Sequence, residues 1–187
     1  KNGLVVDPAN LVQTHLNLLL EDGKIVAVTE EEPEADRVID AAGKVVAPGF
    51  IDIHMHEDPV KDDKIQFCIF DAMLRMGVTT SVGGNCGINV YDPVKYLDLL
   101  ERDGAPVNVM MFAGHQYYRE AAGALDKYSP VTEEQRKMMK KGLEEALEAG
   151  CVGISYGLRY VPGTGREEFL DTASCCQKEH RLISAHV

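Results

Sequence analysis

Val45-Val46-Ala47-Pro48-Gly49-Phe50-Ile51-Asp52-Ile53-His54-Met55-His56 is the stretch at which this sequence changes rhythm. A β-branched pair runs into a Pro-Gly breaker, then into a segment with the composition of a buried strand, and ends on two histidines one residue apart. Upstream, the pattern is short β-type runs at residues 3–6, 15–20, 25–28, 38–39 and 45–46, with Asp22-Gly23 as a hairpin turn. That is a small antiparallel unit over residues 1–47. The acidic segment 30–36, interrupted by Pro33, has little to bury and reads as a solvated loop.

Downstream, strand and helix alternate. After the strand at 49–54, residues 65–76 carry apolar side chains at helical spacing until Gly77, and 78–82 is a second strand. Asp92-Pro93 opens a helix through Leu100, followed by a strand at 107–112. Thr132 and Gln135 form a capping box ahead of a helix whose Met139, Leu143, Ala146 and Leu147 share one face. Strand 151–155, a helix over about 167–179 and strand 182–185 complete the series. Strands that alternate with helices pair in parallel through right-handed crossovers. The expected fold is α/β, a (β/α)8 TIM-type barrel of which residues 48–187 are about the first half. A doubly wound open sheet is the competing architecture, but no G-x-G-x-x-G follows any of these strands.

Composition narrows the function classes. The 187 residues carry 19 Lys and Arg against 30 Asp and Glu, a formal charge of −11, which gives no general attraction to phosphate or anionic lipid. Neither nucleic acid nor a membrane is an expected partner, and the apolar runs are far too short for a bilayer span. A cytoplasmic location is expected. Five irregularly spaced cysteines, Cys68, Cys86, Cys151, Cys175 and Cys176, argue against a disulfide framework. Vicinal disulfides are strained, so Cys175 and Cys176 are expected as reduced thiols. The lack of an initiator methionine and the strand-like finish of the sequence read as a piece of a longer protein.

Residues with chemistry gather at the ends of the expected barrel strands. His54 and His56 follow the first strand, where side chains two apart project to one side and can meet one ion. Taken alone, an H-x-H is more often an ordinary histidine pair. Its placement at a strand's C-terminal end, where barrel active sites lie, favours a metal site. Cys86 follows the second strand in a glycine-rich loop, and His186 ends the fifth. Read in isolation, Cys86 is a small buried thiol. Three of five strands ending in metal-ligand types is a pattern that chance places rarely. His115, ending the third strand, suits a hydrogen-bonded supporting role, and His15 and His180 read as structural.

Together these residues resemble the amidohydrolase superfamily. Gly84-Asn85-Cys86-Gly87-Ile88, Gly114-His115 and the run from Gly153 through Tyr160 to Gly163 resemble, more narrowly, its N-acyl-D-amino-acid deacylase branch. The resemblance implies that residues 1–47 are part of a small β-sandwich. It also implies that His54 and His56 serve one metal position, that Cys86 is a ligand able to bridge to a second, and that His186 supports it. A further histidine and a catalytic aspartate are implied beyond Val187, so no catalytic acid or base is assigned here and residues 1–187 alone are expected to be inactive. Residues 151–160 lack the lysine that bridges two metals in hydantoinases and dihydroorotases, and Cys86 is the candidate substitute. A soft thiolate favours zinc, one ion or two, and zinc provides the nucleophile and electrophile that amide hydrolysis needs. Tyr160 resembles the family's substrate-facing tyrosine, and Arg159 is placed to read a carboxylate; the alternatives are a packed tyrosine and a solvated charge. The implied substrate is an N-acyl amino acid or related amide. Cyclic amide hydrolysis or deamination is the alternative reaction, and a non-catalytic barrel fragment the alternative of another class.

Overall fold

Pro48-Gly49 divides the chain into two units, Lys1–Gly49 and Phe50–Val187. The computed structural model describes residues 1–177 and 181–187. In the first unit β1 (Gly3–Asp7), β2 (Val12–Glu21), β3 (Lys24–Thr29) and β4 (Val45–Val46) form a sheet ordered β3-β2-β1-β4. β1 and β2 pair antiparallel, as do β2 and β3, while β4 runs parallel to β1. Asp22 and Gly23 both take positive φ, the geometry of a tight hairpin turn. The expected strand at Val38-Ile39 is absent, and both side chains are exposed.

In the second unit, β5 (Phe50–Asp52) is followed by a short hairpin, β6 (Val60–Lys61) and β7 (Lys64–Ile65), then α1 (Ile69–Arg75) and β8 (Val78–Gly83). Helix α2 (Pro93–Asp103), β9 (Asn108–Gly114), α3 (His115–Ala121), α4 (Glu133–Glu148), β10 (Gly153–Gly157), α5 (Arg166–Ala173) and β11 (Leu182–His186) follow. The strands lie in chain order, β5-β8-β9-β10-β11, and every neighbouring pair is parallel. This is a parallel half-barrel sheet, and it rules out the doubly wound order, in which the sequence of strands reverses. Parallel strands in chain order bring all their C-terminal ends to one edge. The loops after β5, β8, β9, β10 and β11 are therefore neighbours.

The helices pack on a core that includes Phe70, Tyr96, Met111, Leu143, Ala146, Ile154 and Tyr156. Local signals fix two of them. Asp92 accepts from the Val94 and Lys95 amides at 3.0 Å each, and Thr132 and Gln135 complete their capping box. Two others start where local pattern does not predict. Helix α1 begins at Ile69 rather than Ile65 because buried Asp58 accepts the amides of Cys68, Ile69 and Phe70 at 2.8–3.1 Å, while the residues before them form the β6–β7 hairpin. Helix α3 was not expected at all. The expected helix at 167–179 is α5 followed by a short 3-10 turn at Ser174–Cys176; its last two residues, with His180, lie outside the described residues.

Candidate metal centre

His54 and His56 lie just past β5 rather than on it. The Asp52 side chain accepts the His54 amide at 3.0 Å, and this turn ends the strand at Asp52. The rings still share one region, edge to face with centroids 6.2 Å apart, and both are exposed. Cys86 is buried in a 3-10 turn, Asn85–Gly87, with φ at 59° and ψ at 22°. A left-handed cysteine is uncommon and disfavoured without support from its surroundings. Gly87 allows the turn to sit against β10, for a Cβ there would lie 2.7 Å from the Gly157 nitrogen.

The turn brings Sγ of Cys86 to 3.3 Å from Nε2 of His54 and 3.5 Å from Nδ1 of His186. One ligand atom each from His54, His56 and Cys86 falls within 4.8 Å of the others, the one such group of His, Cys, Asp or Glu side chains among the described residues. Bond lengths of about 2.3 Å to sulfur and 2.0–2.1 Å to nitrogen put sulfur and nitrogen about 3.5 Å apart around a tetrahedral zinc ion. The separations of Cys86 from His54 and His186 agree with that value, and a thiolate with imidazoles is a zinc-type donor set. The residues therefore fit the ion.

Tyr160 is in the loop after β10, with its hydroxyl 3.1 Å from Nδ1 of His186 and its ring edge to face with that imidazole. Arg159 is exposed, and its backbone amide donates to the His186 carbonyl at 3.4 Å. Beside His56, Glu57 is buried and accepts from the Asn89 amide through Oε1 at 2.8 Å, while its Oε2 has no partner among the described residues. Burial pushes the Glu57 carboxyl above the usual range.

His115 stands apart from this group. It begins α3 instead of ending β9, is completely buried, and pairs through Nε2 with Glu168 at 2.8 Å. Buried Arg119 donates to the same carboxylate oxygen at 2.6 Å and also to the carbonyls of Asp126 and Ser129. Burial would raise the Glu168 pKa, but the hydrogen bonds from His115 and Arg119 outweigh it and hold the carboxyl below its usual range. All five cysteines are free. Away from the strand ends, burial pushes the Cys151 thiol up to about 12, which leaves it inert.

Sequence reading missed the polar side chains around Cys86. Asn85, Asn89 and Ser155 are buried and bond to the loops of several strands. Asn85 and Ser155 fall inside the Gly84–Ile88 and Gly153–Gly163 runs, but small polar residues in strands and turns carry no distinctive pattern.

The amidohydrolase family's sequence model matches residues 37–159. The N-acyl-D-glutamate deacylase of Alcaligenes xylosoxydans xylosoxydans is 32% identical over 191 residues, 90% of this chain and 38% of that protein. The D-aminoacylase of the same organism is also 32% identical, over 98% of this chain and 41% of its own length. The chain thus spans about two fifths of the length of these curated relatives. Among solved structures, the N-acyl-D-glutamate deacylase of Bordetella bronchiseptica, complexed with zinc and a phosphonate mimic of the tetrahedral intermediate, superposes with a TM-score of 0.84 at 30% identity. That match covers 100% of this chain and 44% of the other. Among the described residues, no helix is long and apolar enough to cross a membrane.

Proposed function

The chain belongs to the amidohydrolase family, and we propose that it supplies metal-holding residues of a zinc-dependent hydrolase that removes the acyl group of N-acyl-D-amino acids. The observation that carries this reading is the approach of the Cys86 thiol to His54 and His186 at 3.3 and 3.5 Å, with His56 alongside. His54, His56, Cys86 and His186 would hold one ion or two. Zinc bound there supplies a hydrolytic nucleophile at neutral pH and draws electron density from an amide carbonyl. In the same reading, residues 1–47 are part of a small β-sandwich and residues 48–187 are the first half of the barrel. The protein works in the cytoplasm on a small-molecule amide.

The chain's own groups prepare the site in two ways. Cys86 is held at the floor of the strand-end edge, and the exposed histidines stand over it with ring nitrogens available. The Tyr160 hydroxyl lies 3.1 Å from Nδ1 of His186. With His186 among the residues that would hold the ion, the Tyr160 O–H would donate to a substrate oxygen. Arg159, exposed on the same loop, offers a guanidinium to the substrate carboxylate.

The test is elemental metal content of the intact protein, wild type beside Cys86→Ala, with hydrolysis of an N-acyl-D-amino acid panel. Stoichiometric zinc and deacylation in the wild type, both lost in the variant, are expected. Full zinc and turnover in Cys86→Ala would sink the assignment, and ring opening of a hydantoin without any deacylation would replace it with the cyclic-amide reading.

A further inference from the structure

We propose that Asn85 is the positioning residue that locks the ligand-bearing strand ends into one set. The inference rests on the metal centre proposed above and goes beyond it by naming what holds that centre in register. Asn85 is completely buried, with its side-chain amide at the point where three strand ends meet. Nδ2 donates to the Val82 carbonyl at 2.8 Å, and it faces the carbonyls of Ile53 at 3.3 Å and Met55 at 3.5 Å. Ile53 and Met55 flank His54, and His56 follows at once. The other end of the amide, Oδ1, accepts from the Ser184 hydroxyl at 3.4 Å, two residues before His186 on β11.

One side chain therefore touches the backbone on both sides of His54, the strand that leads to Cys86, and the strand that ends in His186. Its own backbone is bonded to Cys86. No other residue type of this size offers two N–H donors on one side and an acceptor on the other. Aspartate is the same shape but would turn a carboxylate oxygen toward three carbonyls. Leucine fills the volume but removes the Nδ2 donor, leaving the Val82 carbonyl with the Met55 amide alone.

Ser155 completes the frame from β10. Its hydroxyl accepts the Gly87 amide at 2.9 Å and donates to the Gly84 carbonyl, so it ties the two ends of the turn that carries left-handed Cys86. Ser155 holds the shape of the cysteine turn, and Asn85 sets where that turn stands relative to the histidines. Residues that orient metal ligands typically change metal affinity 10–100-fold when altered.

The experiment measures zinc affinity of the intact protein by competition with a chromogenic chelator, and the thiolate-to-metal charge-transfer band of the cobalt(II) form, for wild type, Asn85→Asp and Asn85→Ser. Unfolding of the metal-free proteins is followed in parallel. Expected are a thiolate band and tight zinc binding in the wild type, and a 10–100-fold weaker affinity with a shifted or weakened band in folded Asn85 variants. Ser184→Ala, which removes only the 3.4 Å contact, is expected to move both readouts the same way by less. A wild type that binds no zinc overturns the metal centre and this inference together. Wild-type zinc binding, with affinity and band unchanged in a folded Asn85 variant, overturns the positioning role alone. Should neither Asn85 variant fold, the wild-type Asn85 side-chain amide protons decide by NMR. Slow exchange with a shift on adding zinc supports the role, and free exchange with no shift overturns it.

Discussion

Two histidine environments a few residues from the same sheet edge differ in every respect that matters for chemistry. At the ends of β5 and β11, His54, His56 and His186 are exposed or half-buried and converge on a buried thiol. At the start of α3, His115 is sealed from solvent and committed to Glu168, which Arg119 also engages. The first set turns ring nitrogens toward the Cys86 thiol from two strand ends. The second joins a buried ion pair that holds α3 to α5, with Arg119 also bonded to the Asp126 and Ser129 carbonyls of the loop after α3. Residue type does not separate the open set from the strut; exposure and burial do.

The sharpest way to break this contrast is at Glu168. Glu168→Ala leaves the Arg119 guanidinium buried without its counter-charge, and removing one member of a buried pair costs about 3–5 kcal/mol. Denaturant unfolding of the metal-free protein is expected to show a loss of that size, with zinc affinity of the folded variant kept. The same carboxylate sets a pH dependence. Its folded pKa lies below the unfolded value of about 4.3, so its contribution is complete above that unfolded value and is lost as pH falls through the folded one. Glu168→Gln is therefore expected to flatten the acid side of the stability profile relative to wild type. An equally steep acid limb in the variant would show that the pair contributes nothing net.

How far the sequence foretold this arrangement depends on how local each cause is. The alternation of strands and helices, the Asp92 cap and the Thr132–Gln135 box act within a few residues, and the half-barrel order followed from them. His54, His56, Cys86 and His186 were visible as ligand types at strand ends. Three features rest on distant partners and were not visible. Helix α1 is capped by Asp58 from across the β6–β7 hairpin. His115 turns into α3 and pairs with Glu168, 53 residues further on. Cys86 holds a left-handed backbone in a turn that Ser155 closes from β10, 68 residues away. In each, a side chain meets a partner that only the folded chain brings near.

The mildest effect on stability, and the most direct test of the contrast, comes from replacing one histidine of each kind. His115→Phe keeps an aromatic ring beside Tyr156, whose ring centroid is 5.0 Å from that of His115. It removes one hydrogen bond to Glu168 while Arg119 still neutralises that group. Hydrogen bonds to charged groups are worth about 1.5–3 kcal/mol, so unfolding is expected at lower denaturant with zinc binding intact. His54→Ala removes an exposed side chain from a turn held by Asp52 through the backbone, which alanine keeps. Surface substitutions of this kind stay within about 0.5 kcal/mol, so the metal-free variant is expected to unfold like wild type while its zinc affinity collapses. If His54→Ala destabilised the metal-free protein as much as His115→Phe does, the open set would be part of the scaffold and the division between ligand and strut would fail.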